Sequence, residues 1–188
     1  MTKRKDKNME FEGSKTQKNL QSAFAGESQA RNKYTYYAQQ AKADGYMQIS
    51  KIFEETANNE KEHAKIWFKL LHEGNKVPDT LTNLEDAANG EHYEYTEMYP
   101  TFAKEAKEEG FDKIAFLFES VAKIEKEHNE RYQKLRANVA EGTVFEKKEK
   151  VFWICLNCGH ILENVKALEV CPVCVHPKSY FAMRTIDY

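Results

Sequence analysis

The 188-residue sequence has few helix-breaking residues, with 4 prolines and 8 glycines, and no apolar run near the ~18 residues of a membrane-spanning helix. Its basic N-terminus has no apolar segment of the kind a secretory signal carries. The formal net charge is −2, so no surplus of either sign indicates nucleic acid or a membrane surface. With 41% hydrophobic residues the chain can bury a core. We therefore expect a folded, largely helical protein with no nucleic-acid partner and no membrane.

Cysteine is absent from most of the chain and is confined to two Cys-x2-Cys pairs, Cys155 with Cys158 and Cys171 with Cys174. Two such pairs at this separation are a strong signal for a tetrahedral site with four thiolate ligands. Iron and zinc both accept four thiolates, so the spacing does not separate them. Clustered cysteines favour a metal site over disulfides, and they indicate a reducing cytoplasm as the location.

Apolar residues at helical spacing predict four helices, at about residues 16–44, 47–72, 84–109 and 112–140. Gly45 and Gly110 end the first and third helices, and Pro100 should kink the third. The connection at 75–83 is long enough for a crossover along the side of a four-helix bundle. We predict a disordered extension at 1–15, a helical domain at 16–142, a hinge at 143–150 and a small domain of short strands at 151–188.

The helical region contains an internal repeat. The tetrapeptide Glu-Lys-Glu-His at 60–63 recurs unchanged at 125–128, an offset of 65 residues. The segment Ala-Gly-Glu at 25–27 matches Asn-Gly-Glu at 89–91, an offset of 64 residues. The four helices are therefore predicted to form two helical hairpins of one design.

Charged residues interrupt the apolar face of every predicted helix near its middle. One copy of Glu-x-x-His alone would be an ordinary exposed charged patch, but two copies in phase with the apolar face favour a buried site. Several carboxylates in a dry core would cost many kcal/mol unless cations shared the site. Oxygen-rich ligation with one imidazole per metal fits iron or manganese. The predicted two-metal ligands are Glu27, Glu60, His63, Glu91, Glu94, Glu125 and His128.

Two tyrosines lie about two helical turns beyond the first glutamate of each hairpin, Tyr34 after Glu27 and Tyr99 after Glu91. Their hydroxyls could hydrogen-bond to ligating carboxylates, or the rings could be ordinary core aromatics. The remaining histidines have no partner at ligand spacing and are expected at the surface: His72, His92, His160 and His176.

These motifs make the chain similar to the rubrerythrin family. The similar segments are Ala-Gly-Glu-Ser-Gln-Ala-Arg at 25–31, both Glu-x-x-His motifs, Gly-Glu through Met-Tyr-Pro at 90–100, and the cysteine pairs with His-Pro-Lys-Ser-Tyr-Phe at 176–181. The resemblance implies an all-α four-helix ferritin-like bundle with a non-haem di-iron centre, followed by a small β-rich rubredoxin-like domain holding Fe(SCys)4. It also implies a peroxidase, which reduces hydrogen peroxide to water.

The resemblance further implies how the iron ligands behave. In the family one iron moves between a carboxylate, here Glu94, and a histidine, here His63, as the redox state changes. The implied partners are a second copy of the chain in a homodimer and an electron donor, either a rubredoxin-type protein or an NAD(P)H-dependent reductase. The family usually has glycine where this chain has Val175, and a positive φ there would cost about 1–3 kcal/mol.

Two other functions remain open from the residues themselves. The first is iron oxidation and storage, a ferroxidase with an appended metal knuckle. The second is a structural metalloprotein with zinc at the cysteines and no redox role. An iron-storage protein would differ from a peroxidase in its metal content, and a structural zinc protein would differ in its visible absorption.

Overall fold

The computed structural model describes residues 11–185. The chain divides into two compact units, the first ending at Pro78 and the second beginning at Asp79. The predicted disordered extension at 1–15 falls mostly on residues 1–10, which lie outside the described ones. Within residues 11–185, none of the helices combines the length and the apolar character that crossing a membrane requires.

The first unit is a hairpin of α1 (Lys15–Ala43) and α2 (Met47–Leu70), here called hairpin 1. The Ser14 side chain caps α1 by accepting a hydrogen bond from the Gln17 backbone N–H. The turn between the helices needs Gly45, whose φ of 85° is favourable only for glycine. The last residues of the unit include a short 3-10 turn, Glu73–Asn75.

The second unit contains α3 (Thr80–Tyr93), a π-helix (Glu94–Met98), α4 (Tyr99–Glu108) and α5 (Asp112–Ala140). We call this group hairpin 2. The third predicted helix begins at Thr80 rather than at 84, because the Asp79 side chain accepts the Thr82 backbone N–H as a cap. A π-helix at Glu94–Met98, which the sequence analysis did not predict, interrupts this helix, and Pro100 lies in the first turn of α4.

Small residues fill the seam inside each hairpin. They let two helices approach closely. One buried polar side chain per hairpin bonds to a carbonyl of the facing helix: Ser50 Oγ donates to Ala38 O (2.8 Å), and Asn129 Nδ2 to Ala88 O (2.6 Å). The other buried residues of the hairpins are Ala41, Ala57, Ala64, Ala103, Ala106 and Ala115.

The C-terminal part is a three-stranded antiparallel sheet in the order β2-β1-β3, with strands β1 (Glu146–Cys155), β2 (Ile161–Lys166) and β3 (Phe181–Met183). Strand β1 starts inside the stretch 143–150 that the sequence assigns to a hinge. The small core of this sheet is Trp153, Cys155, Ala167, Cys171 and Phe181. The mostly helical fold with a small C-terminal sheet is therefore as the sequence predicts.

Candidate metal centres

Hairpin 1 gathers three of the predicted ligands into one group, Glu27 from α1 with Glu60 and His63 from α2. One ligand atom from each lies within 4.8 Å of the others. The Glu60 carboxylate is 2.8 Å from Nδ1 of His63, because residues three apart share a helix face. The Glu60 side chain is 16% exposed and that of His63 52% exposed, so the imidazole stands at the open side of the group.

Hairpin 2 builds the equivalent group from Glu91 of α3 with Glu125 and His128 of α5, again with ligand atoms within 4.8 Å of one another. Nδ1 of His128 lies 2.7 Å from Glu125 and 3.6 Å from Glu91. The side chain of His128 is 37% exposed, less than that of His63. The two groups are thus copies of one design.

The pKa of Glu91 shows that the hairpin 2 group disfavours a full set of ionised carboxylates when no cation is present. Burial raises it above the ordinary value of 4.5, and the hydrogen bond to Glu125 and the charges of Glu125 and Glu94 raise it further. The charge of His128 acts in the opposite direction. Carboxylates forced this close favour a shared proton or a metal ion between them.

The structure places Glu94 as the first residue of the π-helix, and it is not one of the three residues of the hairpin 2 group. Its charge nevertheless reaches that group, since it raises the pKa of both Glu91 and Tyr99. The pKa of Tyr99 is raised first by burial and then by Glu94, Glu125 and Glu91. Tyr99 therefore lies beside the carboxylates with its hydroxyl proton firmly held.

Tyr34, the counterpart of Tyr99 in hairpin 1, packs its ring against Tyr37 and Phe53, with centroids 6.1 Å away in each case. A hydrogen bond from either tyrosine to a ligating carboxylate stays a prediction. So does the pairing of Glu94 with His63 as a redox switch.

The donor sets of the two groups fit iron. Neighbouring ligands of an octahedral ion with bonds of about 2.1 Å lie about 3 Å apart. The glutamate-to-imidazole distances of 2.8 and 2.7 Å are close to that spacing. Each group offers carboxylate oxygens and one imidazole nitrogen, a donor set that iron accepts, as does manganese.

The four cysteines form a third group, with Sγ atoms within 4.8 Å of one another. Cys155 and Cys174 have sulfurs 3.6 Å apart, as do Cys158 and Cys171. A disulfide needs about 2.05 Å, and all four thiols are free. Four sulfurs about 2.3 Å from a central metal lie about 3.8 Å apart, so this arrangement fits a tetrahedral ion such as iron or zinc.

The two cysteine knuckles are near copies in their backbone hydrogen bonds. Cys155 N–H donates to His160 O and Gly159 N–H to Cys155 O, both 2.8 Å. In the second knuckle Cys171 N–H donates to His176 O (2.8 Å) and Val175 N–H to Cys171 O (2.9 Å). The sequence reading of His160 and His176 as surface residues missed this role of their carbonyls, which any residue type could fill.

Val175 occupies the left-handed region that Gly159 occupies in the first knuckle, with φ of 61° against 75°. The condition for strain stated in the sequence analysis, a positive φ at Val175, is therefore met. A β-branched residue there carries strain of about 1–3 kcal/mol, and glycine would relieve it.

The metal-free cysteines differ in pKa. For Cys158, the His160 backbone hydrogen bond lowers the pKa, but burial and the other three thiols raise it to about 12. For Cys171, burial raises the pKa, while hydrogen bonds from the backbone of Cys174 and Val173 and from neighbouring thiols lower it to about 6. Backbone N–H groups aimed at sulfur are suited to stabilising a thiolate that binds a metal.

The π-helix of hairpin 2 is the part of the site that sequence reasoning missed, although a signal was present. The repeat offset is 64 at Glu27 and Glu91 but 65 from Tyr34 and Tyr99 onward. One residue is therefore inserted between Glu91 and Tyr99, and a π-helix takes up one residue while keeping the flanking faces in phase. The inserted residue lies in the same segment as Glu94, whose carboxylate is additional to the glutamates that the two hairpins share.

Comparisons with known proteins agree with these centres. A family model described as Rubrerythrin matches residues 18–136, and one described as its rubredoxin-like domain matches residues 153–182. Rubrerythrin-1 of Clostridium acetobutylicum is 49% identical over 95% of this chain and 98% of its own. The rubrerythrin of Nitratidesulfovibrio vulgaris is 48% identical over 95% and 98%, and that of Porphyromonas gingivalis 46% identical over 99% and 98%. The chain belongs to the rubrerythrin family, with donor groups for a di-iron site in its helices and a rubredoxin-like four-cysteine centre.

Proposed function

We propose that this protein reduces hydrogen peroxide to two molecules of water, taking up two electrons and two protons, with the electrons delivered through the four-cysteine centre. The observation that supports this most is the presence of two matched Glu/His groups and one four-thiolate group in a single chain. Carboxylate and imidazole donors suit a metal that reacts with an oxygen species, and four thiolates suit a metal that only exchanges electrons.

The proposal joins the two Glu/His groups, with Glu94, into one di-iron centre. When bound, iron there supplies Lewis acidity and the two electrons, and iron at the cysteines returns electrons singly. The chain would hold these ions with carboxylate ligands, because a cation would offset the burial and the neighbouring carboxylate charges that raise the pKa of Glu91. Tyr99 keeps its hydroxyl proton because its pKa is raised, so it can donate a hydrogen bond to an anionic oxygen beside Glu91 or Glu94.

The test is hydrogen peroxide consumption with a reduced rubredoxin-type protein as the donor. Glu60→Ala should abolish turnover by removing a bundle ligand, and Cys158→Ser should abolish it by interrupting electron delivery. The matched control is Glu62→Gln, since Glu62 is an exposed neighbour that bonds only Lys65 among the described contacts. Full turnover in both ligand variants would contradict the proposal.

Metal analysis separates the two alternatives. A ferroxidase that stores iron would form a large cage with many irons per chain. A structural zinc protein would lack the visible absorption of Fe(SCys)4 after careful iron loading. A peroxidase should hold about two irons at the Glu/His groups and one at the cysteines.

A further inference from the structure

We propose that a groove in hairpin 1 binds an apolar carboxylate of the fatty-acid class. This inference goes beyond the proposed function and does not depend on it. The groove encloses about 410 Å³ between α1 and α2 and lies wholly within the first compact unit. A volume of this size is typical of small-molecule sites. The lining residues that carry the argument are Phe24 and Arg31 of α1 with Lys61, Ala64, Lys65 and Phe68 of α2.

The groove is distinct from the metal-ligand group of hairpin 1. None of its lining residues is one of the ligands Glu27, Glu60 and His63. Lys61 follows Glu60 directly and therefore lies about 100° around α2 from it, so the groove opens on a different face of the helix. The groove is thus a site of its own.

The floor of the groove is aromatic. The rings of Phe24 and Phe68, on facing helices, have centroids 5.5 Å apart, and both side chains are partly buried. Ala64 is 7% exposed, and its small side chain leaves room above the floor. An aliphatic chain that covered these rings would remove apolar surface from water on both partners.

Three cations line the rim of the groove, Arg31 from α1 with Lys61 and Lys65 from α2. Lys61 and Lys65 are one helical turn apart, so their like charges repel each other. Among the residues that the structure describes, Lys65 alone of the three has an ion pair, a contact of 3.3 Å with exposed Glu62. Such a pair is weak. A carboxylate at the rim would offset the repulsion, and a guanidinium can bind it through two hydrogen bonds.

The internal repeat shows that the helices do not need this rim. At the offset of 65, hairpin 2 has Lys126 and Glu130 where hairpin 1 has Lys61 and Lys65. Lys126 and Glu130 form an ion pair of 3.9 Å. Hairpin 1 therefore has a repulsive pair at positions where the same design accepts an attractive one. A bound anion gives that repulsive pair a role.

The aromatic floor is also confined to hairpin 1. The matching residue for Phe24 is Ala88, and the matching residue for Phe68 is Gln133. Gln133 donates a hydrogen bond of 3.0 Å to the side chain of Asn129, which in turn donates to Ala88 O. Hairpin 2 thus packs with polar side chains at this seam, so the two phenyl rings are not a requirement of the hairpin.

The size and charge of the groove favour a small molecule over a macromolecule. A stable protein interface covers about 800 Å² on each partner, far more than a groove of this volume offers. Sequence-readable recognition of anionic lipid surfaces uses about four to eight clustered cations, and the groove has three. The net charge of −2 also opposes attraction to an anionic membrane. One carboxylate at the rim with one aliphatic chain over the rings matches both features.

Isothermal titration calorimetry of the iron-loaded protein with decanoate tests the site. We expect saturable binding of one decanoate per chain. Acetate keeps the carboxylate without the chain, and decanol keeps the chain without the charge, so each should bind at least about tenfold more weakly. Binding of decanol as tight as that of decanoate, or no saturable binding of decanoate, would overturn the proposal.

Two variants replace groove residues with those of hairpin 2. Lys65→Glu should pair with Lys61 and remove the cationic rim, and Phe68→Gln should remove one ring of the floor. Each should weaken decanoate binding by at least about tenfold. The matched control is Lys104→Glu, which makes the same charge change at an exposed lysine of hairpin 2 and should bind decanoate as the wild type does.

Wild-type bundle iron and visible absorption of the four-cysteine iron show that a variant is folded. Lys65 is an exposed side chain, so Lys65→Glu keeps the test decisive if Phe68→Gln fails to fold. Decanoate binding that survives Lys65→Glu, or that falls equally in Lys104→Glu, would overturn the proposal. Wild-type protein that sediments with phosphatidylglycerol vesicles and does not bind decanoate would overturn it in favour of a membrane surface.

Discussion

Hairpin 1 and hairpin 2 carry the same ligand pattern but differ by one residue. In both, a glutamate and a histidine three residues apart meet at nearly the same distance, 2.8 Å in hairpin 1 and 2.7 Å in hairpin 2. Of the two hairpins, hairpin 2 alone contains a π-helix. It also has a carboxylate, Glu94, three residues after its first glutamate, where hairpin 1 has Ala30. The repeat supplies the framework, and the departure from it makes the two halves chemically different.

The cysteine knuckles repeat this relationship on a smaller scale. Each closes with the same pair of backbone hydrogen bonds, and the second has valine where the first has glycine. In both duplications the second copy contains the unusual feature.

The largest difference is expected from deleting one residue in each hairpin. Deleting Thr96 should convert the π-helix to an α-helix and leave the flanking faces in phase, so the fold should persist. Deleting Lys33 from the regular α1 should rotate the remainder of that helix by about 100° and expose Ala38 and Ala41, at a cost of more than about 4 kcal/mol. Chemical denaturation of both variants measures this, and equal destabilisation would show that the π-helix is not an insertion.

Glu94→Ala should remove the chemical difference between the hairpins, since alanine occupies the matching position 30 of hairpin 1. We expect bundle iron to be retained and peroxide turnover to fall by at least about tenfold. Mössbauer spectra of the oxidised and reduced protein should then show two more similar irons. Unchanged turnover would exclude Glu94 from the redox switch with His63.

Exchanging the residues of the two knuckles should change stability in opposite directions. Val175→Gly should relieve left-handed strain and stabilise the protein by about 1 kcal/mol, and Gly159→Val should destabilise it by about 1–3 kcal/mol. Thermal unfolding of the metal-loaded protein measures both. The expectation fails if Val175→Gly lowers the melting temperature.

The smallest expected effect is a pH dependence in metal-free hairpin 2. Because the pKa of Glu91 is raised above 4.5, the folded state binds this proton more tightly than the unfolded chain. The group therefore contributes stability below about pH 4.5, and that contribution is lost as the pH rises through the raised value. Urea unfolding of metal-free protein across this range should show the slope, and Glu91→Gln should remove it.

The sequence predicts most of the framework because its signals are local. Both helices of hairpin 1 and α5 start and end within two residues of their predicted bounds. The start of α3 was missed because Asp79 acts as a cap. Ala57 and Ala64 are invisible to a search for large apolar side chains, yet they set how closely α1 and α2 pack.

The sequence by itself determined the ligand inventory: two Glu-x-x-His copies in phase with apolar faces, their partner glutamates, and four cysteines at knuckle spacing. Residue type and helical period decide such features, and both can be read along the chain. Only the tertiary structure decided that each hairpin gathers its own three ligands, that a π-helix absorbs the inserted residue beside Glu94, and that Val175 takes a positive φ. These depend on backbone geometry and on which helices pack together, which no local pattern specifies.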